Sequence, residues 1–175
     1  MLFSKVLVPL TLCLAPLALA LSNEANTIID HTAAIAQKYE AVASSFDAWG
    51  GGIITVIPPL LSLQNLHNAQ VAAIHGAQSC GSFTPEDSDQ IMESIKRVCT
   101  SVRKAQTSVT KKSPEVCATG FGFIGQAFVE VMKSDMTKFL DIIGPKMSPD
   151  HAPRFTELHQ QKESLTQEII DSFKS

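Results

Sequence analysis

The residues of this 175-residue sequence whose types suit catalysis or metal binding are its five histidines, its carboxylate groups and a run of spaced glycines. His67 and His75 lie eight apart, too far for one metal held from adjacent helical turns. Neither sits in a His-x-x-x-His pair beside a Glu. His31, His151 and His159 belong to no such pattern either, so no metal site is expected. Glu86, Asp87 and Asp89 read as first-turn helix residues, and Glu157, Glu163, Glu168 and Asp171 as solvent-facing charge. General acid–base work needs two such groups facing each other across a cleft, which nothing local indicates. Ser44-Ser45 and Ser79-Cys80-Gly81-Ser82 lack the turn of a nucleophilic serine. No enzyme activity is expected from these residues.

Gly120-Phe121-Gly122-Phe123-Ile124-Gly125 carries the Gly-x-Gly-x-x-Gly spacing of dinucleotide-binding turns. It follows a polar helix and a Pro-Glu turn rather than a hydrophobic strand, so no amides are aimed at a pyrophosphate and no cofactor is expected. These glycines instead let bulky neighbours or a ligand approach the backbone.

The N-terminus has one basic residue, Lys5, then an apolar run from Val6 to Leu19 ending in Ala18-Leu19-Ala20. That is the layout of a signal peptide cut after Ala20; Pro9, Pro16 and the short run argue against a membrane anchor. The expected mature domain is residues 21–175, long enough for one hydrophobic core. It has no further apolar run able to span a membrane and no lipid-anchor tail, and is expected to be secreted and soluble.

Removing residues 1–20 leaves 13 Lys and Arg against 17 Asp and Glu. The basic pairs Lys96-Arg97, Arg103-Lys104 and Lys111-Lys112 are short and scattered, so nucleic acid is not an expected partner. Cys80, Cys99 and Cys117 form an odd set, permitting at most one intrachain bridge. Cys99 falls about 21 Å along its helix, whereas bridged α-carbons lie within about 7 Å, so no pair is secure.

Periodicity supplies the elements. Ile28, Thr32, Ile35, Tyr39, Val42, Phe46 and Trp49 alternate at three and four, marking a helix over about 23–49 that Gly50-Gly51-Gly52 ends. A second runs from near Pro59 to Ala77, with Leu60, Leu63, Leu66 or His67, and Ala73 or Ile74 inward. Thr84-Pro85-Glu86-Asp87 starts a third, with Ile91, Ile95, Val98, Val102, Ala105 and Val109 in register to about Lys111-Lys112. Ser113-Pro114-Glu115 repeats the start signal for a fourth, rich in Phe and Met and stopped by Gly144-Pro145. Ser148-Pro149-Asp150 opens a fifth with Phe155, Leu158, Leu165, Ile169 and Phe173 on one side and Lys162 at an apolar step. The expected fold is all-α, an antiparallel bundle of about five helices.

Phe121, Phe123, Phe128, Phe139, Met132 and Met136 offer wide, adaptable apolar surface. Helical stripes of this kind read first as plain core; if the helices instead enclose a channel, these residues are the ones to meet a lipid chain.

The layout resembles the family of fungal hydrophobic surface-binding protein A and the related cell-wall galactomannoproteins. The resemblance rests on the leader, the stripe from Ile28 to Phe46, the glycine break, Leu60 to Ile74, Phe83-Thr84-Pro85-Glu86-Asp87-Ser88 with Ile91, Ile95 and Val98, and the apolar helix ending at Ile143. It implies a secreted or loosely wall-associated helical protein that encloses fatty acids or related lipids without catalysis. A second implication is adsorption to hydrophobic surfaces with recruitment of a secreted hydrolase, or a structural place among cell-wall components. Unlike the wall-bound members, this sequence shows no Ser/Thr-rich stalk and no anchor signal. For lipid binding the expected walls are Leu60, Leu63, Ile124, Phe128, Met132 and Phe139, between the second and fourth helices. Adhesion instead requires an exposed apolar patch rather than an enclosed one.

Overall fold

The computed structural model describes residues 20–174; the leader expected over residues 1–20 lies outside them except for Ala20. Five α-helices and three short 3-10 turns make up the described residues, with no strand among them. Helix α1 spans Asn23–Ala48, and its N-cap Ser22 takes the Ala25 amide on its Oγ at 3.0 Å. It ends where Gly51 and Gly52 adopt φ of 90° and 93°, a region closed to most side chains. A 3-10 turn at Ile54–Val56 feeds α2, Ile57–Ser79. Pro58 and Pro59 sit in its first turn, where no amide donor is needed, so α2 starts two residues before the expected Pro59.

Helix α3, Pro85–Ala118, opens on a reciprocal cap: Thr84 Oγ1 accepts the Asp87 amide at 3.1 Å and Asp87 accepts the Thr84 amide at 3.4 Å. Burial alone would raise the Asp87 pKa, but bonds from the Ser22 and Thr84 amides outweigh it and hold the carboxyl below its usual range. Thr84→Ala should therefore lower stability by about 1 kcal/mol in urea unfolding; an unchanged midpoint would show that the cap contributes nothing.

The expected break at Lys111-Lys112 does not occur, and Ser113-Pro114-Glu115 starts no helix: α3 runs straight through Pro114. Proline deprives the Thr110 carbonyl of its amide partner, and the Ser113 hydroxyl supplies the missing bond at 3.0 Å. The break comes instead at Gly120, with φ of 82°, and α4 begins at Gly122 and ends at Ile143. The 3-10 turns Gly144–Lys146 and Pro149–His151 lead into α5, Ala152–Ser172.

Cross-helix bonds give the directions. Ser45–Ser62 and Tyr39–Gln70 run α1 against α2, and Lys133–Gln167 with Thr137–Glu163 run α4 against α5. His67–Asp135 and Lys146 to the Ala77 carbonyl set α2 parallel to α4. Ser22–Asp87 and Glu40–Lys104 set α1 parallel to α3, while Asp89–His151 and Gln106–Glu168 set α3 parallel to α5. Successive helices thus alternate up and down, as an antiparallel bundle requires. Spatially they form a ring in the order α1, α2, α4, α5, α3. Ile28, Ile35, Leu66, Ile91, Met92, Phe139 and Ile143, each fully buried, fill its interior.

Candidate functional site: the axis of the bundle

A ring of five helices leaves a space along its axis that only inward side chains can fill, and here they do not quite close it. A cavity is lined by two residues from each helix: Tyr39 and Val42, Leu63 and Leu66, Ala105 and Val109, Val129 and Met132, Thr166 and Ile169. Each pair is three or four apart, one turn of its helix, so all five contribute at one level. The cavity's volume is about 20 Å³, room for about one water. The wall is almost wholly apolar: Thr166 turns its hydroxyl back to the Lys162 carbonyl at 2.9 Å. Ala105 is the smallest lining residue, and its short side chain leaves part of the gap.

The cavity lies about two turns below the end of the bundle that carries the Gly50–Gly52 loop. Ile53, Ile54, Ile57, Leu61 and Phe123 are more than half exposed at that end, Ile54 reaching 84 %. No Asp, Glu, Lys or Arg occurs from Ala48 to Pro85, so α2 carries none. A wider surface groove of about 410 Å³ lies between α1 and α3, floored by Ala33 and Ala36 and bordered by Glu40 and Arg97. Being open and edged with charge, it cannot take an apolar chain out of water on all sides as the axis can.

Among the described residues one lysine stands inside the bundle. Lys162, 1 % exposed, occupies the apolar step of α5 noted in the sequence, and its Nζ reaches Thr137 Oγ1 at 3.1 Å and the Glu163 carboxylate. Burial pulls its pKa down, partly opposed by Glu163. Burial would raise the Glu163 carboxyl, but bonds from Lys162 and Thr137 outweigh this and bring it to about 2. Glu163, read as solvent-facing charge from the sequence, is thus the counter-ion of a buried lysine.

Of the six walls expected from the sequence, Leu63 and Met132 line the cavity. Phe139 is fully buried in the core, whereas Leu60 and Phe128 are partly buried against it and Ile124 is half-buried. The other lining residues were available in the inward stripes but spread over all five helices; nothing in a stripe says which level stays unfilled.

The spaced glycines serve packing. A Cβ on Gly125 would stand 2.8 Å from the Phe173 ring, and one on Gly122 would stand 2.7 Å from Cys117 Sγ. Cys80, Cys99 and Cys117 are all free thiols, and burial pushes the first two up in pKa, so both stay protonated. No metal-binding group of His, Cys, Asp and Glu occurs among the described residues.

The sequence did not reveal a serine–histidine–aspartate line: Ser148 Oγ lies 2.7 Å from His151 Nδ1, and His151 Nε2 lies 2.9 Å from Asp89. Ser148 is 7 % exposed and its amide donates to Ser88 Oγ, so the line ties the start of α5 to the first turn of α3. A spacing of three between Ser and His was the available signal.

The fold and the apolar axis define an all-α up-and-down bundle around a small apolar cavity. The family model described as hydrophobic surface binding protein A matches residues 25–144, and the chain belongs to that family. Among solved structures it is similar to Afmp4p in complex with palmitic acid, at 14 % identity and a TM-score of 0.81 over 85 % of this chain and 99 % of that one. It is also similar to ligand binding domain 1 of the Penicillium marneffei MP1 protein complexed with arachidonic acids, at 13 % identity and a TM-score of 0.81 over 86 % and 98 % of the two chains. Ligand binding domain 2 of the same protein, again with arachidonic acids, aligns with a TM-score of 0.78 at 13 % identity over 85 % and 92 %. No curated protein matches the sequence. No described helix is long and apolar enough to cross a membrane.

Proposed function

We propose that this protein binds a fatty acid or related lipid, without catalysis, along the axis of the bundle. The observation that carries the reading is the cavity to which every helix contributes two residues. The fatty acids held by its structural neighbours favour the same ligand class. Burying an acyl chain contributes about 0.8 kcal/mol per methylene, so ten or more offset the association penalty. The apolar space is too small for such a chain as it stands, so binding must part the helices. Among the described residues His67 is the sole ion-pairing group on α2, bonded to Asp135 at 2.7 Å, so α2 is the helix that shifts at least electrostatic cost. Leu63 and Met132 are walls in this reading; Leu60, Ile124, Phe128 and Phe139 come into contact as α2 and α4 separate. We further infer that residues 1–20 export the chain and that 21–175 act as one extracellular binding domain, free or loosely held at the wall.

Native mass spectrometry of the purified protein, followed by titration with palmitic acid, tests the reading. The single tryptophan, Trp49, is 3 % exposed beside the Gly50–Gly52 loop and reports the opening. A saturable one-to-one signal is expected; neither copurified lipid nor saturation would overturn it.

The exposed Ile53, Ile54, Ile57, Leu61 and Phe123 favour a second activity, adsorption to hydrophobic surfaces. Ile54→Ser with Leu61→Ser should lower retention on hydrophobic beads several-fold while leaving palmitic acid affinity within about twofold. Retention equal to that of the parent protein would remove this patch from the account.

A further inference from the structure

At its end away from the Gly50–Gly52 loop, the axial cavity meets two polar groups that an apolar lining does not require. Gln70 lies one turn beyond Leu66 on the inward stripe of α2 and is 0 % exposed. Its Nε2 donates to the Tyr39 hydroxyl at 3.3 Å, and its Oε1 has no partner. Tyr39, 4 % exposed and part of the cavity wall, accepts that bond and donates its own proton to no described residue. Turning the amide over does not cure the defect, because Tyr39 would then donate to Oε1 and leave Nε2 without an acceptor. A buried amide atom left unpaired destabilises the fold, so leucine or methionine would serve a purely structural position better.

A ligand oxygen that both donates and accepts completes the set: its O–H goes to Gln70 Oε1 and it receives the Tyr39 proton. With the amide turned over, Tyr39 donates to Oε1 and the freed Nε2 donates to a carboxylate oxygen, so an ionised head group is held as well. The Glu163 charge on α5 also bears on Tyr39, as does Cys99 on α3, and with burial as the main cause they push the phenol well above its usual range, keeping it a neutral donor. Lys162, the nearby cation, is already engaged by Glu163.

We propose that Tyr39 and Gln70 form the head-group contact of the axial cavity and hold the oxygen of a fatty acid or fatty alcohol, whose chain points toward the Gly50–Gly52 end. This rests on the axial-binding reading and names the ligand chemistry of that same site.

Hexadecan-1-ol and hexadecane separate an oxygen-bearing head from a bare chain without any titrating group. Gln70→Met should weaken the alcohol about tenfold relative to the alkane, since it removes the amide that pairs the head-group oxygen. Tyr39→Phe should weaken it several-fold on the same scale. Tyr39→Phe removes one oxygen only and keeps the comparison available if Gln70→Met fails to fold. An alcohol-to-alkane affinity ratio unchanged in both variants, as expected if a trapped water completes the amide, overturns the assignment. Palmitic acid is titrated alongside: its binding with an unchanged ratio overturns the head-group contact alone, whereas failure of all three ligands overturns the axial site as well.

Discussion

Ala105→Phe is expected to weaken palmitic acid binding by roughly 50- to 100-fold while leaving a helical, cooperatively folding protein. Ala105 faces the axis from α3 and is 1 % exposed, so a phenyl ring there occupies the space an acyl chain needs. Displacing about three methylenes at about 0.8 kcal/mol each accounts for a loss of that size. Overpacking itself costs about 1–3 kcal/mol, which should appear as a lower unfolding midpoint. Thr107→Phe, on the exposed side of the same helix, should leave binding within twofold. Equal affinities for the two variants would place the lipid elsewhere. Isothermal titration with circular dichroism on the same samples reads both quantities.

The second large effect concerns the buried lysine. Glu163→Gln removes the counter-ion of Lys162 and should destabilise the fold by about 3 kcal/mol, the low end for breaking a buried pair because the carboxylate is partly exposed. Lys162→Met should be neutral or stabilising, since an apolar chain then fills the apolar step and Glu163 keeps Lys133 at 3.2 Å. Urea unfolding of both variants checks the asymmetry, and equal losses would contradict it. The pH dependence has a definite sign. Because the folded Glu163 carboxyl is depressed to about 2 from its ordinary 4.5, its contribution is complete above the ordinary value and disappears as pH falls through the folded one. The gap between the parent protein and Glu163→Gln should therefore narrow in acid.

These variants mark where sequence reading reached and where it stopped. The stripe from Ile28 to Phe46 and the Thr84-Pro85 cap placed α1 and the start of α3 correctly, because a 3.6-residue period and a first-turn proline are local facts. Pro114 misled for the same reason: its local preference for a helix start was overridden by the Ser113 hydroxyl and by the packing of a long α3. The order of helices around the ring was not legible, since a stripe shows that a face is buried but not against which partner. The same limit spread the expected walls between α2 and α4, when the unfilled level draws on all five helices. Leu63 and Met132 belong to both descriptions. Tyr39 was visible as an inward residue, but its role depends on Gln70, a neutral side chain that no motif singles out. Lys162 was noticed as a misfit on its stripe, and its partner is the next residue, which helical geometry alone would point away from it.

The central claim is that a lipid lies inside the ring, and intermolecular nuclear Overhauser effects from carbon-13-labelled palmitic acid test it most directly. Contacts to the methyl groups of Leu63, Val109, Val129 and Met132 are what an axial ligand produces. Contacts confined to Ile53, Ile54, Leu61 and Phe123 would place the lipid on the outside and contradict the account.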